Sequence, residues 1–449
     1  MPFELQMNAF GDHGPHAPEM VSHDVAKWAA ARTLYLRREP VAMKPPPKSE
    51  LAKWNDPKVG WGVVMAESDN PPPALKKLIA KRKAPILRYL SNTSQSLSTL
   101  RDDRGPVLDI AGSPSGIERG SLPYYLMIYG SPEVVPWSLQ YILGMRHCVG
   151  RLDLEADALD NYISAVLNNF AGARSDPYRT LICATDHGDI TTMIRAVLAE
   201  PLYARFQEDD ERKAMSVFLA GNEAGRAATQ QSLSEHLAEL PGVVVTSSHG
   251  RTSPANDPPE MRRNLGWLVD QNKTAINPHE LMKSWEPNGV VWYAHACCSA
   301  GSDSFTVFDG LFPKETPTAK LLQTVAALGS LTAPFPRALL GAKNPARAFI
   351  GHVEPTFNWT VRRPDTGQAL TDMLVSAIEN LNRGEPVGYA FKDRASQAGV
   401  LLTSYDRARS AYINGAQNAD EMLRLKLSAL DIQSTVILGD PAVALSIRP

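Results

Sequence analysis

From about residue 120 onward the sequence keeps switching between two hydrophobic periods. Short runs that are apolar almost throughout alternate with longer stretches whose apolar residues recur every three or four positions. The runs read as strands: LPYYLMIYG (122–130), RTLICAT (179–185), AMSVFLA (214–220), GVVVTSSHG (242–250), GVVWYAHA (289–296) and ARAFIGHV (346–353). The longer stretches read as helices over 154–170, 189–206 with a break expected at Pro201, 227–240, and much of 366–430. Strands without a polar face need cover on both sides. The pattern therefore predicts an α/β fold with a mainly parallel sheet between layers of helices. In such folds the chemistry gathers in loops beyond the carboxyl ends of the strands.

The remaining features set bounds. A chain of 449 residues with 43% apolar side chains can bury a large core. Residues 1–60 are proline-rich and polar, with KPPPKSE at 44–50, and read as an N-terminal extension. The expected division is then 61–230 and 231–449. A basic run (Lys76, Lys77, Lys81, Arg82, Lys83) follows NPPPAL at helical spacing and reads as a solvated helix face. With a net charge of −2, nothing favours a nucleic-acid partner or an anionic membrane. No apolar run reaches the ~18–20 residues of a membrane helix. Four cysteines make no disulfide framework, and the N-terminus lacks the basic-then-apolar pattern of a secretory signal. The expectation is a cytoplasmic protein with reduced thiols.

Two strand ends carry reactive groups. VVVTSSHG delivers His249 and Gly250, and VVWYAHAC delivers Cys297. A thiolate nucleophile needs an imidazole to take its proton and later protonate the leaving group. Glycine after the histidine lets a backbone N–H approach a substrate oxygen. Ser299, Ala300 and Gly301 permit a tight turn behind the cysteine. Cys298 reads as a buried small residue or an oxidation partner. His295, Cys297 and Cys298 make a poor metal set, since no second ligand pair completes it. His187, also followed by glycine after a strand, is the rival histidine.

SSHG followed by HACCSAG resembles the catalytic pair of caspase-like cysteine peptidases, the group that includes caspases, gingipains, separase and CHAT proteins. The likeness to the gingipain-like and CHAT branch extends to YYLMIYGSPEVVPWSLQY, HCVGRLDLEADALDNYISAVL, GNEAGRAATQQSLSEHL, ARAFIGHVEPTF and VILGDPAVAL, so it covers roughly residues 120–449. The resemblance implies a three-layer α/β/α fold with two caspase-like halves, 61–230 being the noncatalytic one and His187 lying within it. It implies a cysteine endopeptidase with His249 as general base and acid and Cys297 as nucleophile. The backbone N–H groups of Gly250 and Cys297 would form the oxyanion hole. No cofactor is expected, although some relatives use calcium.

Specificity is less constrained. His295 stands two residues before the nucleophile, where relatives carry Asp or Gln. Asp303 and Glu354 follow two strands of the site and could line a pocket for Arg or Lys. The expected partners are a protein or peptide substrate and an activating protease or regulatory protein. The segment 302–320 has no sustained period and is expected to act as an activation loop, with Asp309, Lys314 and Lys320 as cut sites. Two other readings share these features: a catalytically silent caspase-like scaffold, and acyl transfer in place of hydrolysis.

Overall fold

The computed structural model describes residues 3–31, 50–91, 96–358 and 371–447. Most of the KPPPKSE stretch lies outside them. Twelve strands form one central sheet. In chain order they are β1 Trp61–Ala66, β2 Ile86–Tyr89, β3 Thr99–Asp102, β4 Val107–Asp109, β5 Tyr125–Tyr129, β6 Cys148–Leu152, β7 Asp176–Ala184, β8 Ser216–Ala220, β9 Pro241–Ser247, β10 Val291–His295, β11 Ala348–His352 and β12 Thr435–Gly439. Across the sheet the order is β8-β7-β9-β10-β11-β12-β6-β5-β1-β2-β3-β4.

The strands fall into two parallel blocks. β8 to β11 run one way. β12, β6, β5, β1 and β2 run parallel to one another. The blocks meet at the antiparallel pair β11–β12, and β3 and β4 add an antiparallel edge. Every residue of β9, β10 and β11 is buried, as strands covered on both faces require. Helices supply the cover. Pro73–Arg82, Ala156–Leu167 and Pro334–Gly341 pack on one another. Thr371–Asn382, Lys392–Ile413 and Ala419–Ser434 form a second group, joined by Val25–Ala30 and Glu200–Gln207. The architecture is therefore the expected mixed α/β class, a large and mostly parallel sheet flanked by helices.

Three details differ from the sequence reading. The division expected at residue 230 falls inside the first block, because the chain leaving β8 returns across β7 to β9. Pairing changes blocks between Leu152 and Asp176 and again between His352 and Thr435. Pro201 does not end its helix. A wide turn at Arg195–Ala199 comes first, so the proline sits in the opening turn of Glu200–Gln207, where its missing N–H costs nothing. The described residues of the N-terminal extension are packed into the body of the fold. Ala9–Gly11 pairs with Gly250–Arg251. The Val25–Ala30 helix is held by its carbonyls: the Tyr405 hydroxyl donates to Ala29 O at 2.7 Å and Lys426 Nζ to Trp28 O at 2.6 Å.

Candidate active site

β9 and β10 are neighbours in register, with Ser247 opposite His295. His249 and Cys297 each stand two residues further on, so the pairing carries both to the same end of the sheet. β7 lies on the other side of β9, with Ala184 opposite Ser247. The chain leaves β7 towards one edge, at β8, and returns to β9 on the opposite side. The strand order thus reverses between β7 and β9, the place where open α/β sheets form ligand crevices.

The loop after β7 supplies Asp189, which the sequence reading does not single out. Its Oδ2 lies 2.9 Å from His249 Nε2. A carboxylate can only accept, so Nε2 carries a proton. Nδ1 is buried without a hydrogen-bond partner. Asp189 is itself fixed. Its Oδ1 accepts from the Thr191 N–H at 2.9 Å and the Thr191 hydroxyl at 2.7 Å, capping the helix Ile190–Ile194. Burial pushes the Asp189 carboxyl up, but the bonds to His249 and Thr191 outweigh it and hold the group well below the usual carboxylate range. In the sequence Asp189 looks like an ordinary helix cap before ITT. Only the pairing of β7 with β9 brings it to the histidine.

His187 is not remote, as the resemblance implied. Its ring stacks on His249, with centroids 5.4 Å apart and planes 15° from parallel. Its Nε2–H donates to Asp270 O at 3.0 Å. Burial, and then the neighbouring His249, lower its affinity for a proton. His187, Asp189 and His249 lie close enough to share an ion. The nearly parallel rings keep their lone pairs in parallel planes, a poor arrangement for one metal.

Cys297 is fully buried. The Thr356 N–H donates to its sulfur at 3.1 Å, and the thiol faces Thr356 O at 3.7 Å. Burial pushes the thiol well up, so this thiol keeps its proton at neutral pH. Cys298 is buried too and has φ 54°, in the left-handed region. The chain therefore bends sharply behind Cys297, a conformation that costs a non-glycine residue about 1–2 kcal/mol. Gly250 packs directly on the Cys297 backbone. A Cβ there would overlap Cys297 O and stand 2.9 Å from Cys297 N.

The three expected pocket residues separate into two groups. Asp303 and Glu354 are brought together and buried. Asp303 Oδ1 accepts from the Ser330 hydroxyl at 2.6 Å and the Ser304 N–H at 2.8 Å. Glu354 Oε1 has no hydrogen-bond partner. Burial, then the charge of Asp303, push the Glu354 carboxyl well above its ordinary range. His295 stands apart, edge-on to His352 at 4.7 Å with both ring nitrogens unpartnered. Burial, then Arg394, lower its pKa to about 3, so it stays neutral. As the last residue of an all-buried strand it belongs to the core. The segment 302–320 is not an open loop, since Phe308, Leu311 and Phe312 are buried, Phe308 packs edge-on to Phe357 and Phe312 packs against it at a tilt. No family model matches this sequence, and no curated protein is similar to it.

Proposed function

We propose that the chain is a cysteine endopeptidase in which Cys297 attacks the peptide carbonyl and His249 moves the protons. One observation carries this reading: adjacent parallel strands in register deliver Cys297 and His249 to the same end of the sheet, each two residues past a paired position, with Gly250 packed on the Cys297 backbone. His249 Nδ1 takes the thiol proton. The thiolate adds to the carbonyl carbon, and the Gly250 and Cys297 N–H groups receive the oxyanion. The C–N bond then breaks as His249 returns the proton to the amine. Water, deprotonated by the same nitrogen, hydrolyses the thioester. Asp189 orients the ring and stabilises the imidazolium. The reading is of a caspase-like peptidase whose first parallel block is the catalytic part. Glu354, a buried carboxyl whose Oε1 has no hydrogen-bond partner, lies beside the Asp303 carboxyl, and an Arg or Lys side chain of the substrate would neutralise the pair, which supports cleavage after a basic residue.

A catalytically silent scaffold is the second reading, and the protonated, Thr356-bound thiol favours it. Alkylation separates the two. With an acyloxymethyl-ketone peptide probe, a peptidase labels at Cys297, and Cys297→Ala abolishes labelling and turnover while Cys298→Ala keeps both. If no condition gives Cys297-dependent labelling and turnover, the scaffold reading stands.

A further inference from the structure

The groove above Cys297 is filled by the chain's own N-terminus. Residues 3–11 run extended across the site, and Leu5, Met7, Asn8 and Ala9 are buried. On one side Ala9–Gly11 pairs in parallel with Gly250–Arg251. On the other, the Asn8 N–H donates to Thr356 O at 2.9 Å, and Asn358 N–H donates to Gln6 O at 3.1 Å. The segment is thus a strand inserted between two edges that both belong to the site.

Its central residue meets the catalytic groups one by one. Asn8 O accepts from the Gly250 N–H at 3.3 Å, the amide assigned above to the oxyanion. The Asn8 N–H donates to Thr356 O, the same carbonyl that the Cys297 thiol faces at 3.7 Å. Asn8 Nδ2 donates to Ser248 O at 3.0 Å, and the Phe10 ring lies 6.1 Å from His249. An extended backbone with a carbonyl in the oxyanion position is the posture of a bound polypeptide substrate. The same packing removes water from the thiol and keeps it protonated.

We infer that residues 5–11 are an internal pseudosubstrate, a strap that closes the site until it is drawn out. This inference rests on the peptidase reading for its purpose, though not for its geometry. The strap is built to leave without unfolding the body. Beyond it the chain turns at Gly11 and Gly14, the latter at φ 97°, and pairs back as Gly14–Pro15. The Val25–Ala30 helix then anchors the chain to the body, so a displaced strap stays tethered. Control then lies at the N-terminus and not in the packed segment 302–320.

The test uses the full chain and a variant, Ala9→Glu. Ala9 is fully buried against Gly250, so the carboxylate can be accommodated only if the strap leaves. Iodoacetamide labelling, mapped by mass spectrometry, should modify Cys297 at least about 100-fold faster in Ala9→Glu, the shift expected of one unpaired buried charge. Equal rates would overturn the inference. Turnover of basic peptides is measured in parallel. Faster labelling without turnover keeps the strap and removes the peptidase reading. Turnover in an unmodified chain whose Cys297 labels freely does the reverse. Hydrogen exchange on the unmodified chain guards against misfolding of the variant. Peptides covering 4–11 should exchange well before those of β9, and exchange as slow as that of β9 would also overturn the inference.

Discussion

Asp189→Asn turns the hydrogen-bond geometry into a directional test. Asp189 Oδ1 accepts two bonds from Thr191, at 2.9 and 2.7 Å. An asparagine must keep its carbonyl oxygen there, since the Thr191 N–H can only donate. Its NH₂ then falls where Oδ2 was, 2.9 Å from His249 Nε2. A donor now faces Nε2, so the imidazole proton moves to Nδ1. The nitrogen that should take the thiol proton is then blocked. Loss of general-base help predicts a ~10²–10⁴-fold fall in turnover, measured in the Ala9→Glu background so that the strap does not mask it. Asparagine keeps the helix cap, but it cannot carry the charge that Asp189 places against His249, so the melting temperature at neutral pH should fall. The pH dependence should change with a definite sign. The Asp189 carboxyl is lowered in the folded state, so its stabilisation is complete above the ordinary carboxylate range. It is lost as pH falls through the lowered value, and the variant should lack that acid limb. ¹⁵N NMR of labelled histidine reads the tautomer directly. A protonated Nε2 in the variant, or turnover within a few-fold of the parent, would refute the reasoning.

Gly250→Ala should destabilise the fold by about 1–3 kcal/mol in denaturant melts and cost activity, because its Cβ would overlap the Cys297 carbonyl oxygen. Gly399→Ala is the control: no atom lies within 4 Å of its Cβ position, and in a helix the change should stabilise by roughly 0.5–1 kcal/mol. Glu354→Gln and Asp303→Asn should each lower kcat/KM for peptides with a basic P1 by about 10–100-fold, more for Arg than for Lys. Cleavage after acidic residues by the unmodified pocket would end that assignment.

The fold was legible where the local signal was strong. Val243 to Val245, Val291 to Tyr293 and Ala348 to Ile350 are unbroken apolar runs, and only a sheet covered on both faces has a use for them. Trp61–Ala66 is equally buried, yet it follows a proline-rich stretch and does not stand out from it as a strand. β3 and β4 carry Arg101, Asp102 and Asp109, and their pairing at the sheet edge leaves little periodicity to find. The segment 302–320 lacks any period because its burial is irregular. Phe308, Leu311 and Phe312 fill a gap under Phe357 without forming an element.

The site was legible to the extent that it follows strand ends. His249 and Cys297 each come directly after a strand, and the register of β9 on β10 does the rest. Asp189 and the N-terminal strap could not be read in the same way, because each meets the site through a contact across the chain; His187 was visible as a strand-end histidine, but its stacking on His249 was not. Asp189 meets His249 over 60 positions and Asn8 meets Ser248 over 240. Neither residue shows a pattern of its own: one looks like a cap and the other like a polar residue of the proline-rich extension. What joins them is a shared dependence on β9. Its carboxyl end receives Asp189 from the β7 side, Cys297 from the β10 side and the strap from the chain's own start. A single residue, Gly250, touches two of the three. Its amide holds the Asn8 carbonyl, and its missing side chain admits the backbone of Cys297. The chemistry proposed for this protein and the device proposed to restrain it therefore compete for one N–H group, and opening the strap is the same event as freeing the oxyanion position.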